Sequence, residues 1–429
     1  MSVATVIKPD ATDFLIASKQ CEIQDLTSFL KLGQLVVAIS NLVHALQRER
    51  GASNLFLGSG GQRFSDELGG ISQASDDQLN GFYAALAQAR EALGSDHGSS
   101  RLLSRIASAL HGLSGIETLR AQVLRQEISA DAATRIYIEL IRVLLSVVFE
   151  AADTAADPGI AKVLVAMFNL MHGKELAGQE RAAGSVGFAG RQFDRALQER
   201  MTHLLEAQER CFELFCEFAD EQSLALYQRC LEKPYQEPIR YLRGVARSNS
   251  NQALIRDEHT CQWFELMSSR IDDLKVVEEA LEAHLHNLCA IKFAEARQAL
   301  SQHEVLIRDL QKHEPHDAFV VMLSKDELAG EYEIASLANE GLSPRLGRSV
   351  LELVQNQSAR LQQMNDELAE ARQALEERKL LGRAKALLMK QKQMSEDEAH
   401  RLLTRIAMNE GKRLGEVAKA VISMAEMWQ

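Results

Sequence analysis

The sequence predicts an all-α protein: two antiparallel four-helix bundles, a coiled-coil-like linker helix and a C-terminal three-helix module. Three observations predict it. Only six prolines occur in 429 residues, and the helix-favouring residues Leu, Ala, Gln, Glu and Arg dominate. Apolar residues recur at three- and four-residue spacing, with little strand-like alternation. Short Gly, Pro and Asp punctuation separates these stripes, as between antiparallel neighbours in a bundle. The length allows two or three domains, and 46% apolar content is ample for their cores. The boundaries expected are a helical lead-in over 1–35, a double bundle over 36–313, a linker and heptad helix over 314–378, and a compact module over 379–429.

From Phe14 the chain is helical in pattern. Leu32, Leu35, Val36, Ile39, Leu42, Val43 and Leu46 form one wide stripe that runs into Gln47-Arg48-Glu49-Arg50-Gly51. Gly58–Gly61 and Gly69-Gly70 punctuate the loop expected next. Leu79–Leu93 and Leu102–Leu124 supply two further helices. Ser129 reads as the N-cap of a fourth, whose stripe is Ile136, Leu140, Val143, Leu144, Val147 and Val148.

Asp157-Pro158-Gly159 opens the second bundle. Its expected helices run through Leu176, from Phe193 to about Leu231, after Pro234 and Pro238, and from about Glu258 to His313. Phe319-Val-Val-Met-Leu-Ser is too short for more than a buried helical turn or an isolated strand. From Val350 a heptad appears, with Val354, Leu361, Leu368 and Leu375 at one core position and Gln357, Met364, Ala371 and Arg378 at the other. It suits either a coiled-coil homodimer or a lone amphipathic helix packed on the body.

The last fifty residues differ from the rest in charge. Residues 379–429 hold ten Lys and Arg against six Asp and Glu, a net of +4 within a chain of −12. Three stripes lie there: Leu380, Leu381, Ala384, Leu387 and Leu388; then Ala399, Leu402, Leu403 and Ile406; then Leu414, Val417, Ala418, Val421 and Ile422. Ser395 with Glu398 gives a capping-box pattern before the second, and Gly411 ends it. A small basic helical module on an acidic body points to a polyanionic partner, or simply to a solvated lysine-rich face.

Four ordered blocks bear on that choice: Arg-Ala-Lys-Ala-Leu-Leu-Met (383–389), Met-Ser-Glu-Asp-Glu-Ala (394–399), Leu-Leu-Thr-Arg-Ile-Ala-Met (402–408) and Lys-Arg-Leu-Gly-Glu-Val-Ala (412–418). They closely resemble the ANTAR family of RNA-binding antitermination modules. The resemblance implies binding to paired small hairpins in a leader transcript, so that a terminator does not form. The signature positions carried over are Ala384, Lys385, Met389, Ala399, Leu403, Met408, Leu414 and Ala418. Most of these read as core positions, with Lys385 as an exposed RNA contact. Charge and placement add Arg383, Arg405, Lys412 and Arg413 as phosphate contacts. The module's one aromatic residue is Trp428, so phosphate and shape contacts with strong salt dependence are expected.

In the body, the informative feature is arginine inside otherwise apolar helical stretches: Arg48, Arg50, Arg181, Arg240 and Arg243. A guanidinium is permanently charged and offers forked donors that match a planar oxyanion. Converging buried arginines require negative charge. Either Glu49, Glu175 and Glu180 supply it, or a small anion does. Gln-Arg-Glu-Arg-Gly-Ala-Ser-Asn-Leu-Phe-Leu (47–57) and Gly-Gln-Glu-Arg-Ala (178–182) resemble the NIT domain, a nitrate- and nitrite-sensing module, over roughly residues 36–295. The resemblance implies nitrate or nitrite held by arginines between two four-helix bundles. Arg50 and Arg181 match best, Arg48 follows, and Arg240 and Arg243 are alternatives for a third arginine.

Other function classes find no support. The six cysteines form no C-x-x-C pair, and His284 and His286 fall on different helical faces, so no disulfide frame, metal site or cofactor is expected. No nucleophile–base pair stands in a recognisable catalytic motif, and no phosphate-cradling glycine loop interrupts the helices, so no enzyme is expected. Met1–Asp13 lacks a signal peptide's pattern. Ile136–Phe149 comes nearest to a membrane span, and Glu139 and Arg142 interrupt it, which suggests a cytoplasmic protein. The two resemblances together imply a nitrate- or nitrite-responsive antiterminator. Sensing of a different small anion, or a helical scaffold whose basic tail binds DNA, are the alternatives.

Overall fold

The computed structural model describes residues 11–94, 100–248, 255–256, 258–311, 319–325, 332–338, 344–392, 394 and 396–426. The chain divides into two compact units. One comprises 31–288 with 368–429, and the other comprises 1–30 with 289–367. Three long helices pass from one unit into the other: α1 (Ala11–Gly58), α10 (Glu258–Gln311) and α11 (Pro344–Lys392).

The larger unit is entirely helical among its described residues. After α1 come α2 (Leu68–Gly94), α3 (Ser100–Leu113), α4 (Ile116–Leu124), α5 (Ala130–Thr154) and α6 (Pro158–Ala189). They are followed by α7 (Arg195–Phe218), α8 (Glu221–Leu231) and α9 (Gln236–Arg247). All seven residues of the predicted α1 stripe are buried. At about 1.5–3 kcal/mol per buried aliphatic side chain, that face alone contributes on the order of 10–20 kcal/mol of gross burial. Among the described residues, an 18-residue window of α1, and not Ile136–Phe149, is the stretch long and apolar enough to cross a membrane. Its apolar face is instead spent on the protein core.

Two boundaries fall where the sequence placed them, the first through the cap expected there and the second through a cap that the sequence had marked only as punctuation. Ser129 accepts from the Ala132 amide at 3.2 Å, and Asp157 accepts from Ile160 at 3.0 Å with Pro158 in the first turn. Others moved. Gly69 and Gly70 lie inside α2, not in a loop. Leu102–Leu124 is two helices, parted at Ser114-Gly115, and 193–231 is two, parted where Asp220 caps Gln222 and Ser223. The segments on either side of Pro238 form a single helix, α9, with that proline in its first turn.

Helix α6 is the centre of the larger unit. It is buried on all sides, with α5, α7 and α9 packed along it. Its second half joins α7, α9 and α10 around one apolar core that includes Leu176, Phe188, Cys211, Ile239, Leu242, Trp263 and Met267. Charged residues on α6 are consequently forced into the interior. The Lys174 ammonium lies 2.6 Å from Glu278 of α10, with both side chains fully buried, and Lys275, Glu282 and Ser40 extend that network to α1.

In the smaller unit the structure departs from an all-helical reading. Phe319–Lys325 (β1) and Tyr332–Ala338 (β2) pair as an antiparallel hairpin, with Phe319 opposite Ala338 and Lys325 opposite Tyr332. The first strand was visible in the sequence as an isolated apolar run; its partner, Tyr-Glu-Ile-Ala-Ser-Leu-Ala, alternates too weakly to read.

The C-terminal module consists of the end of α11 with α12 (Glu396–Glu410) and α13 (Leu414–Glu426). Every residue of the three predicted stripes lies in its core or packs against it. Gly411 adopts φ +61°, and the Lys412 amide reaches back to the Ala407 carbonyl at 3.1 Å, the hydrogen bond of a left-handed helix terminus. Met389 and Met408 were expected among core positions but are exposed, Met408 by 78%. The predicted cap Ser395 and the aromatic Trp428 lie outside the described residues, as do the side chains of Val354, Gln357, Leu361 and Ala371. Of the remaining heptad positions, Leu368 and Leu375 are buried within the single chain.

Candidate functional site

Two guanidiniums meet where α1 crosses α6. Arg50 is 2% exposed and Arg181 is 8% exposed. The close approach depends on two glycines, each beside the other helix's arginine. A Cβ on Gly51 would stand 2.8 Å from Arg181 Nη2, and one on Gly178 would stand 2.6 Å from Arg50 Nη2. Both glycines lie within the two motifs that carry the sensing resemblance, beside the arginines that the sequence singled out.

Arg50 Nη1 donates to Glu175 Oε1 at 2.5 Å. The same carboxylate accepts from Gln47 of α1 at 2.9 Å and from Gln179 of α6 at 2.9 Å. Arg50 Nη2 is buried and has no hydrogen-bond acceptor among the described residues. An orphaned donor on a buried cation is costly, typically 1–3 kcal/mol or more. Arg181 donates through Nη1 to Ser268 of α10 at 2.8 Å, and its guanidinium lies over the Phe264 ring at 4.8 Å. It has no ion pair among the described residues. Burial, and then the like charge of Arg50, hold its pKa down to about 10.

Both arginines line a cavity of about 20 Å³ closed by Gly51, Asn54, Gly178, Ser185 and Phe264. That is room for a water-sized or slightly larger species. Two cationic forks, one with an orphaned donor, and the Asn54 amide make an anion-binding lining, while the Ser185 hydroxyl is committed to the Arg181 carbonyl at 2.9 Å. Glu175 was read from sequence only as a neutralising neighbour, Gln47, Asn54 and Gln179 stood in the quoted motifs without a role, and Phe264 and Ser268 were not singled out.

The other predicted arginines lie elsewhere. Arg48 is exposed, two residues along the helix from Arg50 and so on another face. Arg240 is 72% exposed in its side chain and pairs with Glu237 one turn away. Arg243 is tied to the buried Glu180 of α6 by two bonds of 2.7 Å. None of the three lines the cavity.

The basic module is docked on the sensor helices. Arg378 donates to Asn169 Oδ1 at 2.6 Å and to His172 Nδ1 at 2.8 Å, with its guanidinium 4.6 Å from the Phe168 ring. Burial and the charges of Arg378 and Lys385 hold the His172 pKa well below its usual value, so a neutral ring is there to accept. Lys379 pairs with Asp153 at 2.8 Å, Arg401 pairs with Glu199 at 2.8 Å, and His400 meets His203 edge-on at 5.1 Å. Among the predicted RNA contacts, Lys385 is half-buried and not exposed, while Arg383, Arg405, Lys412 and Arg413 are exposed. Lys412 pairs with Glu410 at 2.8 Å.

Comparison with known proteins identifies both the helical body and the basic module. The model of a family described as nitrate and nitrite sensing matches residues 41–286, and that of the ANTAR domain matches residues 369–422. A nitrate regulatory protein of Klebsiella oxytoca is 34% identical over 421 residues, covering 98% of this chain and 97% of that protein. The solved structure of the NasR transcription antiterminator is 33% identical, with a TM-score of 0.57, covering 98% of this chain and all of its own. With the sensing match spanning more than half of its length and the relative matching end to end, the chain belongs to the nitrate- and nitrite-sensing regulators that carry a C-terminal ANTAR domain.

Proposed function

We propose that the protein is a nitrate- or nitrite-responsive transcription antiterminator. Nitrate or nitrite is held by Arg50 and Arg181 among α1, α6 and α10. Its binding loosens the hold of α6 on Arg378, and the freed C-terminal module binds paired hairpins of a leader transcript before a terminator forms. The observation that carries this reading is the buried, unpartnered Arg50 Nη2 on a cavity shared with a second guanidinium. A planar oxyanion supplies acceptors for both forks and removes the repulsion between them.

The route to the module runs along α6. Glu175, which holds Arg50, lies one turn from His172 and less than two from Asn169, the two residues that hold Arg378. An anion moves this equilibrium only by as much as it prefers one packing over the other. Once freed, Lys385 and Arg401 join Arg383, Arg405, Lys412 and Arg413 in meeting phosphates. Work on nascent RNA places the protein in the cytoplasm. A homodimer through the heptads upstream of Leu368 would present two modules to a two-hairpin target.

Thermal melts with nitrate, nitrite, chloride, sulfate and acetate test the sensor. Saturation at about 100 times Kd is expected to stabilise the fold by roughly 2.7 kcal/mol, and Arg50→Ala to lose that gain. Hairpin-RNA binding is expected to strengthen with nitrate in the wild type and to be strong without nitrate in Arg378→Ala. An equal response to all five anions would overturn the nitrate reading, and equal binding to duplex DNA would favour the DNA-binding scaffold.

A further inference from the structure

We infer that Glu175 is a charge filter: it holds the anion site at a net charge of +1, so that a singly charged oxyanion is admitted and a doubly charged one is refused. The inference rests on the anion reading above and adds a specificity-determining residue to it.

The charges close to the cavity can be counted. Arg50 and Arg181 line it, and Glu175 bonds to Arg50 directly. Beyond these three, Lys174 is paired with Glu278 and Lys275 with Glu282, while the partly buried Asp272, which acts on Arg181 more strongly than Glu175 does, is balanced by the exposed Arg48. Two cations and one carboxylate leave +1. A bound monoanion brings the buried site to neutrality. A dianion would leave an uncompensated charge in the interior, which is expensive.

Glu175 is also fixed in place. It is 3% exposed, and its two oxygens accept from three donors on two helices: Gln47, Arg50 and Gln179. Withdrawing from the site would break all three of these hydrogen bonds. Nor is a carboxylate needed merely to hold an arginine here. On the same helix, Asn169, His172 and the Phe168 ring hold Arg378 with neutral acceptors alone. What the carboxylate does that an amide would not is subtract one charge.

Calorimetric titration of the full chain with sodium nitrate and sodium sulfate tests this in the wild type, Glu175→Gln and Asn54→Asp. Glutamine keeps an acceptor for Arg50 and removes the charge. Glu175→Gln is expected to bind nitrate several-fold more tightly. Its sulfate-to-nitrate affinity ratio should rise at least tenfold, because a dianion feels the lost charge twice. Asn54→Asp adds a carboxylate to Glu175's, this one on the cavity lining itself, and is expected to weaken nitrate at least tenfold. Weaker nitrate binding in Glu175→Gln with an unchanged ratio would show that Glu175 only orients Arg50, and the inference falls. Unchanged nitrate affinity in Asn54→Asp would overturn it independently, even if Glu175→Gln did not fold. A wild type that binds neither anion would instead remove the anion site itself.

Discussion

Helix α6 carries two buried glutamates five residues apart, and each faces a pair of arginines. At Glu180 the acceptors are used up. Arg243 reaches it with two bonds of 2.7 Å, Gln208 with one of 2.8 Å, and Arg270 lies 4.0 Å away while donating to the Gln208 carbonyl. At Glu175 the carboxylate is likewise filled, but among the described residues one terminal nitrogen of Arg50 has no acceptor and Arg181 forms no ion pair. The formal sum is the same at both, two cations and one anion. What separates a structural cluster from a candidate binding site is therefore not the count of arginines. It is a leftover donor with room beside it.

The largest test of this contrast is Glu180→Ala. It leaves Arg243 and Arg270 facing each other in the core, and breaking a buried pair of this kind costs about 3–5 kcal/mol. Denaturant unfolding should show that loss with or without nitrate. Burial opposes the Glu180 carboxylate, but Arg243, Arg270 and Gln208 more than offset it, so its pKa lies below the usual carboxylate value. For an acid with a depressed folded pKa, the contribution is present above the unfolded value, about 4.3, and fades as pH falls below it. The wild-type advantage over Glu180→Ala should accordingly shrink on acidification. A variant that lost its nitrate response while keeping full stability would mean that the two clusters have been assigned the wrong way round.

Gly178→Ala sharpens the comparison from the other side. Its methyl group would stand 2.6 Å from Arg50 Nη2, the free end of a flexible side chain, with no closer backbone obstacle. The guanidinium is expected to yield, at a cost to stability of under about 1 kcal/mol, while anion affinity falls about tenfold, or 1.4 kcal/mol. Melts with and without nitrate separate the two effects. If Gly178→Ala retained full affinity, Arg50 Nη2 would not be the donor that meets the ligand.

The sequence was most legible where the physics is local. The three stripes of the C-terminal module all pack in its core, and the caps at Ser129 and Asp157 form as their spacing requires. Legibility failed where the outcome depends on a distant partner. Glu175 and Glu180 look alike in Lys-Glu-Leu-Ala-Gly-Gln-Glu-Arg; only the arrival of α1 beside one and of α9 beside the other makes them differ. Gly178 reads as a small-residue spacer until Arg50, more than a hundred positions earlier, is placed against it. Met389 and Met408 read as apolar core and turn outward, because helical spacing gives a face but not what covers it. Lys385 was expected to be exposed and is half-buried, since the docking of α11 against α6 leaves no mark in the sequence.

The smallest expected effect concerns Arg240, which motif reading could not separate from Arg243. The two lie three residues apart on α9 and differ only in what surrounds them. Arg240 is mostly in solvent, and its partner Glu237, one turn back, is more exposed still. Such a pair contributes between zero and about 0.5 kcal/mol. Arg240→Ala should therefore unfold within about 0.5 kcal/mol of the wild type and give the same nitrate-dependent rise in Tm. Arg243→Ala, which strips a buried carboxylate of its bidentate partner, should lose about 3–5 kcal/mol while keeping the nitrate-dependent rise. Equal behaviour of the two variants would mean that α9 turns in the liganded state and brings Arg240 inward. The difference between them is thus a direct reading of whether the face α9 now presents to α6 is the one it keeps when the anion binds.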